Sequence, residues 1–196
     1  MAAALLLTPG ARTACAQAVP GATPAATAGV SASVAGLWDD ETHLGRGPAI
    51  AVEISRPLGG YLRVGIESGW FGHTRDAGYL AAEGDVLHVM GRASLLAGPR
   101  RWRTRPFLGT GLGIAKSSGT LTTRDPFFAP HERAQSWDLT RMAWELHAGV
   151  RAAIGDRWVV RPEVRAGVIG RGSAADGLET PLVRLQGGVA VEWAPR

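Results

Sequence analysis

The sequence predicts an all-β protein, an eight-stranded antiparallel up-and-down barrel that crosses a membrane, and three observations carry this. Apolar residues alternate with polar or small ones over eight separate stretches of roughly ten residues, long enough to cross a bilayer at a tilt. Long connections follow the first, third, fifth and seventh stretches and shorter ones the second, fourth and sixth, the rhythm of a barrel whose ends face two compartments. Tryptophans on the apolar parity bracket an aliphatic band, as interfacial girdles do.

In chain order, Gly29–Trp38 sets Val30, Ala32, Val34 and Trp38 against Ser31 and Ser33, and a polar connection, Asp39–Pro48, follows. Ala49–Arg56 opposes Ile50, Val52 and Ile54 to Ala51, Glu53 and Ser55, before a turn at Pro57–Gly60. Tyr61–Phe71 opposes Leu62, Val64, Ile66 and Trp70 to Arg63, Gly65, Glu67 and Gly69, and Gly72–Gly84 reads as a loop. Asp85–Leu96 sets Leu87, Val89 and Leu95 against His88, Met90 and Arg92, and a basic connection, Ala97–Arg105, follows. Pro106–Lys116 carries Leu108, Leu112 and Ile114 on one face and a run of glycines on the other, and Ser117–Arg141 reads as the longest irregular segment.

The most regular part is the hairpin Met142–Ile154 and Trp158–Ile169, joined by Gly155-Asp156-Arg157. Its apolar parity holds Trp144, Leu146, Val150, Val160 and Val164, and its other parity holds Glu145, His147, Arg151, Arg161, Glu163 and Arg165. Pro162, which cannot donate a ladder hydrogen bond, calls for a bulge near the strand start. After a loop at Gly170–Thr180, Pro181–Trp193 completes the set with Arg184, Gln186 and Glu192 opposite Val183, Leu185, Val191 and Trp193.

Alternation alone fits a soluble sandwich or lipocalin-like barrel as well. The tryptophans decide. Trp38, Trp70 and Trp144 lie next to long connections and Trp158 and Trp193 next to short ones, so the girdles flank Val, Ile, Leu and Ala. The opposite parity is then the lumen. It collects Glu53, Arg63, Glu67, Arg92, Glu145, His147, Arg151, Arg161, Glu163, Arg165, Arg184 and Glu192, nearly balanced in sign, as a paired network that fills a narrow barrel. Inward glycines such as Gly109, Gly111 and Gly113 would leave room for long Arg side chains from neighbouring strands.

The 196 residues make one domain, and no apolar run is long enough for a transmembrane helix. Met1–Ala18, containing the single Cys15, reads as an export signal ending in a small-x-small site, residues 19–28 as a flexible lead-in, and 29–196 as the barrel. The net charge of +4 rests on arginine, with Lys116 the sole lysine, and no basic helix or aromatic-basic interleaving supports nucleic-acid binding.

These features resemble the small eight-stranded outer-membrane barrels of Gram-negative bacteria, with OmpA-type transmembrane domains and OmpX-like proteins the nearest architectures. The resemblance spans Gly29–Trp193 and implies residence in the bacterial outer membrane, with lipid as the main partner.

No catalytic, cofactor-binding or metal-ligating set emerges. Gly109-Thr110-Gly111-Leu112-Gly113 lacks the third glycine of a dinucleotide loop, and His131-Glu132 lacks the second histidine of a zinc helix. His88-Val89-Met90 and His147-Ala148-Gly149 lack the serine of a lipid A deacylase pair. The expectation is a non-enzymatic barrel with a structural or interaction role in its external loops, where Phe127-Phe128 either folds back onto its own loop, as such pairs usually do, or anchors a protein or surface partner. A narrow pore, a lipid-modifying enzyme and a soluble periplasmic binding barrel are the alternatives.

Overall fold

A sheet in hydrocarbon has no water to satisfy an unpaired edge, so it must close on itself. The computed structural model describes residues 25–39, 42–124, 132–170 and 181–195. It contains β1 (Thr27–Asp39), β2 (Thr42–Leu58), β3 (Leu62–Asp76), β4 (Leu80–Leu96), β5 (Thr104–Arg124), β6 (Glu132–Ile154), β7 (Trp158–Ile169) and β8 (Leu182–Trp193). Each strand pairs antiparallel with the next, and β8 pairs with β1 to close the barrel. The up-and-down barrel predicted from alternation is the one observed.

The strands overrun their expected ends on one side. Most of Asp39–Pro48, Gly72–Gly84 and Ser117–Arg141, read from sequence as connections, is strand, so that β5 has 21 residues and β6 has 23. Above the bilayer the ladder still satisfies backbone groups, but the contrast between lipid and lumen that writes alternation into a sequence is gone. Ser117, Ser118, Thr120 and Thr122 therefore continue a strand without a clear pattern. The connection Ala77–Tyr79 is consequently shorter than Ala97–Arg103, and the long-short rhythm does not hold for connections. The asymmetry lies in strand length: β7 and β8 have 12 residues each, so the β5–β6 hairpin forms a taller wall.

Thr27 and Ala28, read as lead-in, belong to β1. The export segment, Phe127-Phe128 and residues 171–180 lie outside the described residues. Gly155 turns the β6–β7 hairpin with φ of 70°, a conformation other residues rarely adopt. Pro162 needs no bulge. Pairing to β6 passes from Gly149↔Glu163 to Ala152↔Val160 in unchanged register, and Pro162 stays paired with Val189 on β8. The register shift that is present lies between Leu37 and Trp38, against β2.

The two faces differ in chemistry. Ile54, Ile66, Leu108, Met142 and Val164 lie on the outer wall, each more than half exposed. Glu67, Glu145, His147 and Arg165 lie inside, each at 3% exposure or less. An apolar wall exposed around a charged interior is the reverse of a soluble barrel, and it defines a membrane-spanning one.

Candidate functional site

The barrel interior holds the densest chemistry of the described residues, and its elements position it through strand parity. Each inward side chain lies across from an inward neighbour on the adjacent strands, and glycines occupy many of those places. Arg92 lies between Gly65 and Gly111, Glu145 between Gly111 and Gly167, and Glu163 between Gly149 and Gly188. A Cβ on Gly109 would come within 2.3 Å of His147 Nε2, and one on Gly111 within 3.0 Å of Glu145 Cγ. Backbone is close as well: a Cβ on Gly113 would meet the Val89 carbonyl oxygen at 2.0 Å and one on Gly109 that of Ala93 at 2.4 Å, and the nearest atoms at the three positions belong to no arginine, contrary to the expectation.

Glu67 and Glu53 are direct cross-strand neighbours, which alone would repel. Guanidinium groups bridge them. Arg92 Nη1 donates to Glu67 at 2.6 Å and to Glu53 at 3.1 Å. Arg165 grips Glu67 through both oxygens, at 2.5 and 2.8 Å, and also donates to Glu163. Arg161 donates to Glu53 at 2.5 Å and to Glu192 at 2.8 Å, with Phe107 beneath its guanidinium. Arg184 donates to Glu145 at 2.7 Å. Arg92 Nε lies 3.2 Å from Glu145, while Arg63 and Arg151 reach Glu192 at 3.2 and 3.1 Å. His147 pairs with Ser94 at 2.9 Å and lies 3.6 Å from Glu145.

His88, Ser94 and Gln186 are further polar members of the interior. His88 Nε2 meets Glu67 at 3.2 Å, so its N–H sits there, and Nδ1 accepts from Arg184 at 3.3 Å. Gln186 donates to Ser33 at 2.6 Å.

A second layer lies inside the barrel that alternation along the chain does not show. Beyond the charges, toward the tall-wall end, Leu37, Leu44, Phe71, Val86, Trp137, Leu139, Ile169 and Leu182 pack inside the barrel as an apolar cluster. Trp137 donates to Ser117 at 3.0 Å and stacks on His73, which in turn donates from Nδ1 to the Leu44 carbonyl at 3.2 Å. A signal for this layer exists in the sequence. Leu37-Trp38 and Trp70-Phe71 put large apolar residues on both parities at once, which marks a change of lumen character at the girdle.

Trp158 and Trp193 are cross-strand partners on the outer wall at the turn end. Trp38 lies opposite Val183, Trp70 opposite Ile50 and Leu87, and Trp144 opposite Leu112 and Val168. Trp70 Nε1 donates to Asp85 at 2.9 Å. Trp70 and Trp144 sit within their strands rather than at strand ends, since β3 and β6 continue beyond them.

Each of these glutamates contacts at least one guanidinium, and His88 and His147 pair with Glu67 and Ser94. Among the described residues, no group of three or more His, Cys, Asp or Glu is placed to hold a metal ion.

The closed barrel, its apolar belt and its charged interior define a membrane-spanning β-barrel. Solved structures of bacterial outer-membrane proteins share the fold. Neisserial surface protein A superposes with a TM-score of 0.67 at 11% identity, covering 87% of this chain and 97% of that one. A major outer membrane protein of Thermus thermophilus gives 0.55 at 14% identity, covering 86% and 99%. Ail, the attachment invasion locus protein of Yersinia pestis, gives 0.50 at 9% identity, covering 87% and 99%. No protein family and no curated protein matches the sequence.

Proposed function

We propose that the protein is a non-enzymatic resident of the outer membrane whose lumen does not conduct, and whose role is structural or interactive, carried by the surfaces that stand outside the bilayer. The observation behind the closed lumen is its double filling: an Arg/Glu network at one level and an apolar cluster at the next. Eight strands enclose only enough room for side chains, and here long ones occupy it. Ion pairs that are buried and mutually bonded open only at a cost of several kcal/mol, about 3–5 when one partner is stranded. The five tryptophans at the two rims hold the barrel at its depth. The β5–β6 wall, the tallest part of the barrel, is the surface best placed to meet a protein or surface partner.

Planar-bilayer recording tests the reading. Purified barrel is expected to give no steady open state. A sustained unitary conductance that disappears on filling the lumen, for example with Gly111→Phe, would replace the closed-barrel reading with that of a narrow pore.

A further inference from the structure

At the turn end, which faces the periplasm in barrels of this class, the mouth encloses a cavity of about 320 Å3 whose lining includes Thr27, Gly60, Arg63, Arg100, Arg105 and Arg151. Among the described residues, no aspartate or glutamate lines it. Arg105 is held in place by neutral acceptors, while Arg63 and Arg151 also reach a carboxylate. Arg105 donates to the carbonyls of Gly60 at 2.9 Å, Leu96 at 3.2 Å and Ala97 at 3.3 Å, and lies over the Tyr61 ring. Buried Arg63 donates to the hydroxyls of Thr27 and Ser55, at 2.5 Å each. Glu192, just behind, is shared by Arg63 and Arg151 of the lining and by Arg161, which also pairs with Glu53 and Glu163, so one carboxylate answers the two lining guanidinium groups. Gly60 leaves room for Arg100: a Cβ there would lie 2.9 Å from its Nε.

We propose that this cavity binds a phosphate group. Hydrogen bonds to carbonyls orient the Arg105 guanidinium without neutralising it, and the four lining arginines have one carboxylate behind them, so the mouth is a site of net positive charge. Arginine forks match the oxygens of phosphate and carboxylate alike. A carboxylate is satisfied by one or two such forks, whereas a tetrahedral phosphate, with more oxygens and more charge, matches a lining that carries four arginines. The volume is at the small end for a ligand site and suits a headgroup or small anion rather than a chain. The phosphate belongs either to a small periplasmic solute or to the headgroup of an inner-leaflet phospholipid.

Calorimetry separates the sources. The full chain, folded in lauryldimethylamine oxide micelles that contain no phosphate, is titrated with inorganic phosphate and, in a second arm, with a short-chain phosphatidylglycerol. Binding of inorganic phosphate points to a soluble anion, and binding of the lipid alone to a headgroup. In either arm Arg105→Gln and Arg100→Gln are each expected to weaken binding about tenfold, the loss of one charge-assisted contact. Arg100 is exposed, so its variant folds even if that of Arg105 does not. Circular dichroism and gel mobility verify the barrel. Heat with neither probe, or folded Arg100→Gln binding as tightly as the native chain, would overturn the proposal.

Discussion

Replacing Glu67 by glutamine measures whether the ion network holds the barrel together. The substitution keeps the shape of the side chain and removes its charge. Glu67 accepts from Arg165 through both oxygens and from Arg92, and meets His88. A carboxamide offers one acceptor and turns its NH2 toward guanidinium donors, so at least one contact becomes donor against donor. Arg165 keeps Glu163, and Arg92 keeps Glu53 and the neighbouring Glu145, so neither cation is wholly stranded. The cost should fall at the lower end of the range for breaking a buried pair, about 3 kcal/mol, or roughly a hundredfold in the unfolding constant. Pairing Glu67→Gln with Arg165→Met removes the excess cation along with the anion. The double variant is expected to be no less stable than Glu67→Gln alone, with a clearly non-additive cycle. Urea unfolding in lipid vesicles, followed by tryptophan fluorescence and gel mobility, reads both quantities. A Glu67→Gln barrel within about 0.5 kcal/mol of the native one, or strictly additive losses, would refute the view that these pairs carry stability.

Two further outcomes follow from the same geometry. Leu112→Arg, on the outer wall between Gly91 and Trp144, should cost about 2–4 kcal/mol in a bilayer, while Ser136→Arg, above the girdle on β6, should stay within about 0.5 kcal/mol; equal effects would contradict the assigned membrane band. His73 lies beyond Trp70, outside the membrane, and burial holds its imidazole below its usual range despite the bond to Leu44. The unfolded chain thus binds the proton first, near pH 6.5, so the stabilising contribution of neutral His73 is present above that pH and declines below it. His73→Phe should flatten the stability profile between about pH 7 and 5, and an unchanged slope would exclude this source.

Much of the barrel is legible one residue at a time. Val30, Val52, Ile66 and Leu108 declare their parity because each strand inside the bilayer separates hydrocarbon from lumen. Where that contrast ends the text fades: Ser117–Arg141 reads as irregular although most of it continues the ladder, because strand pairing there depends on backbone hydrogen bonds that no side-chain pattern records. The apolar layer was hidden for a related reason. Trp137 and Leu139 fall in that unpatterned stretch, and only closure of the sheet brings them against Phe71, Leu37 and Leu182.

Which residues share a face and how many strands there are can be read from the chain alone, because period-two alternation is local. Closure of the barrel is what brings Arg92 against Glu53, Glu67 and Glu145 from three different strands, sets Glu192 beside Arg63, Arg151 and Arg161, and lines one mouth with Arg63, Arg100, Arg105 and Arg151. Those partners lie tens of residues apart along the chain. Register and closure set the distance between them, and neither is written in any single strand.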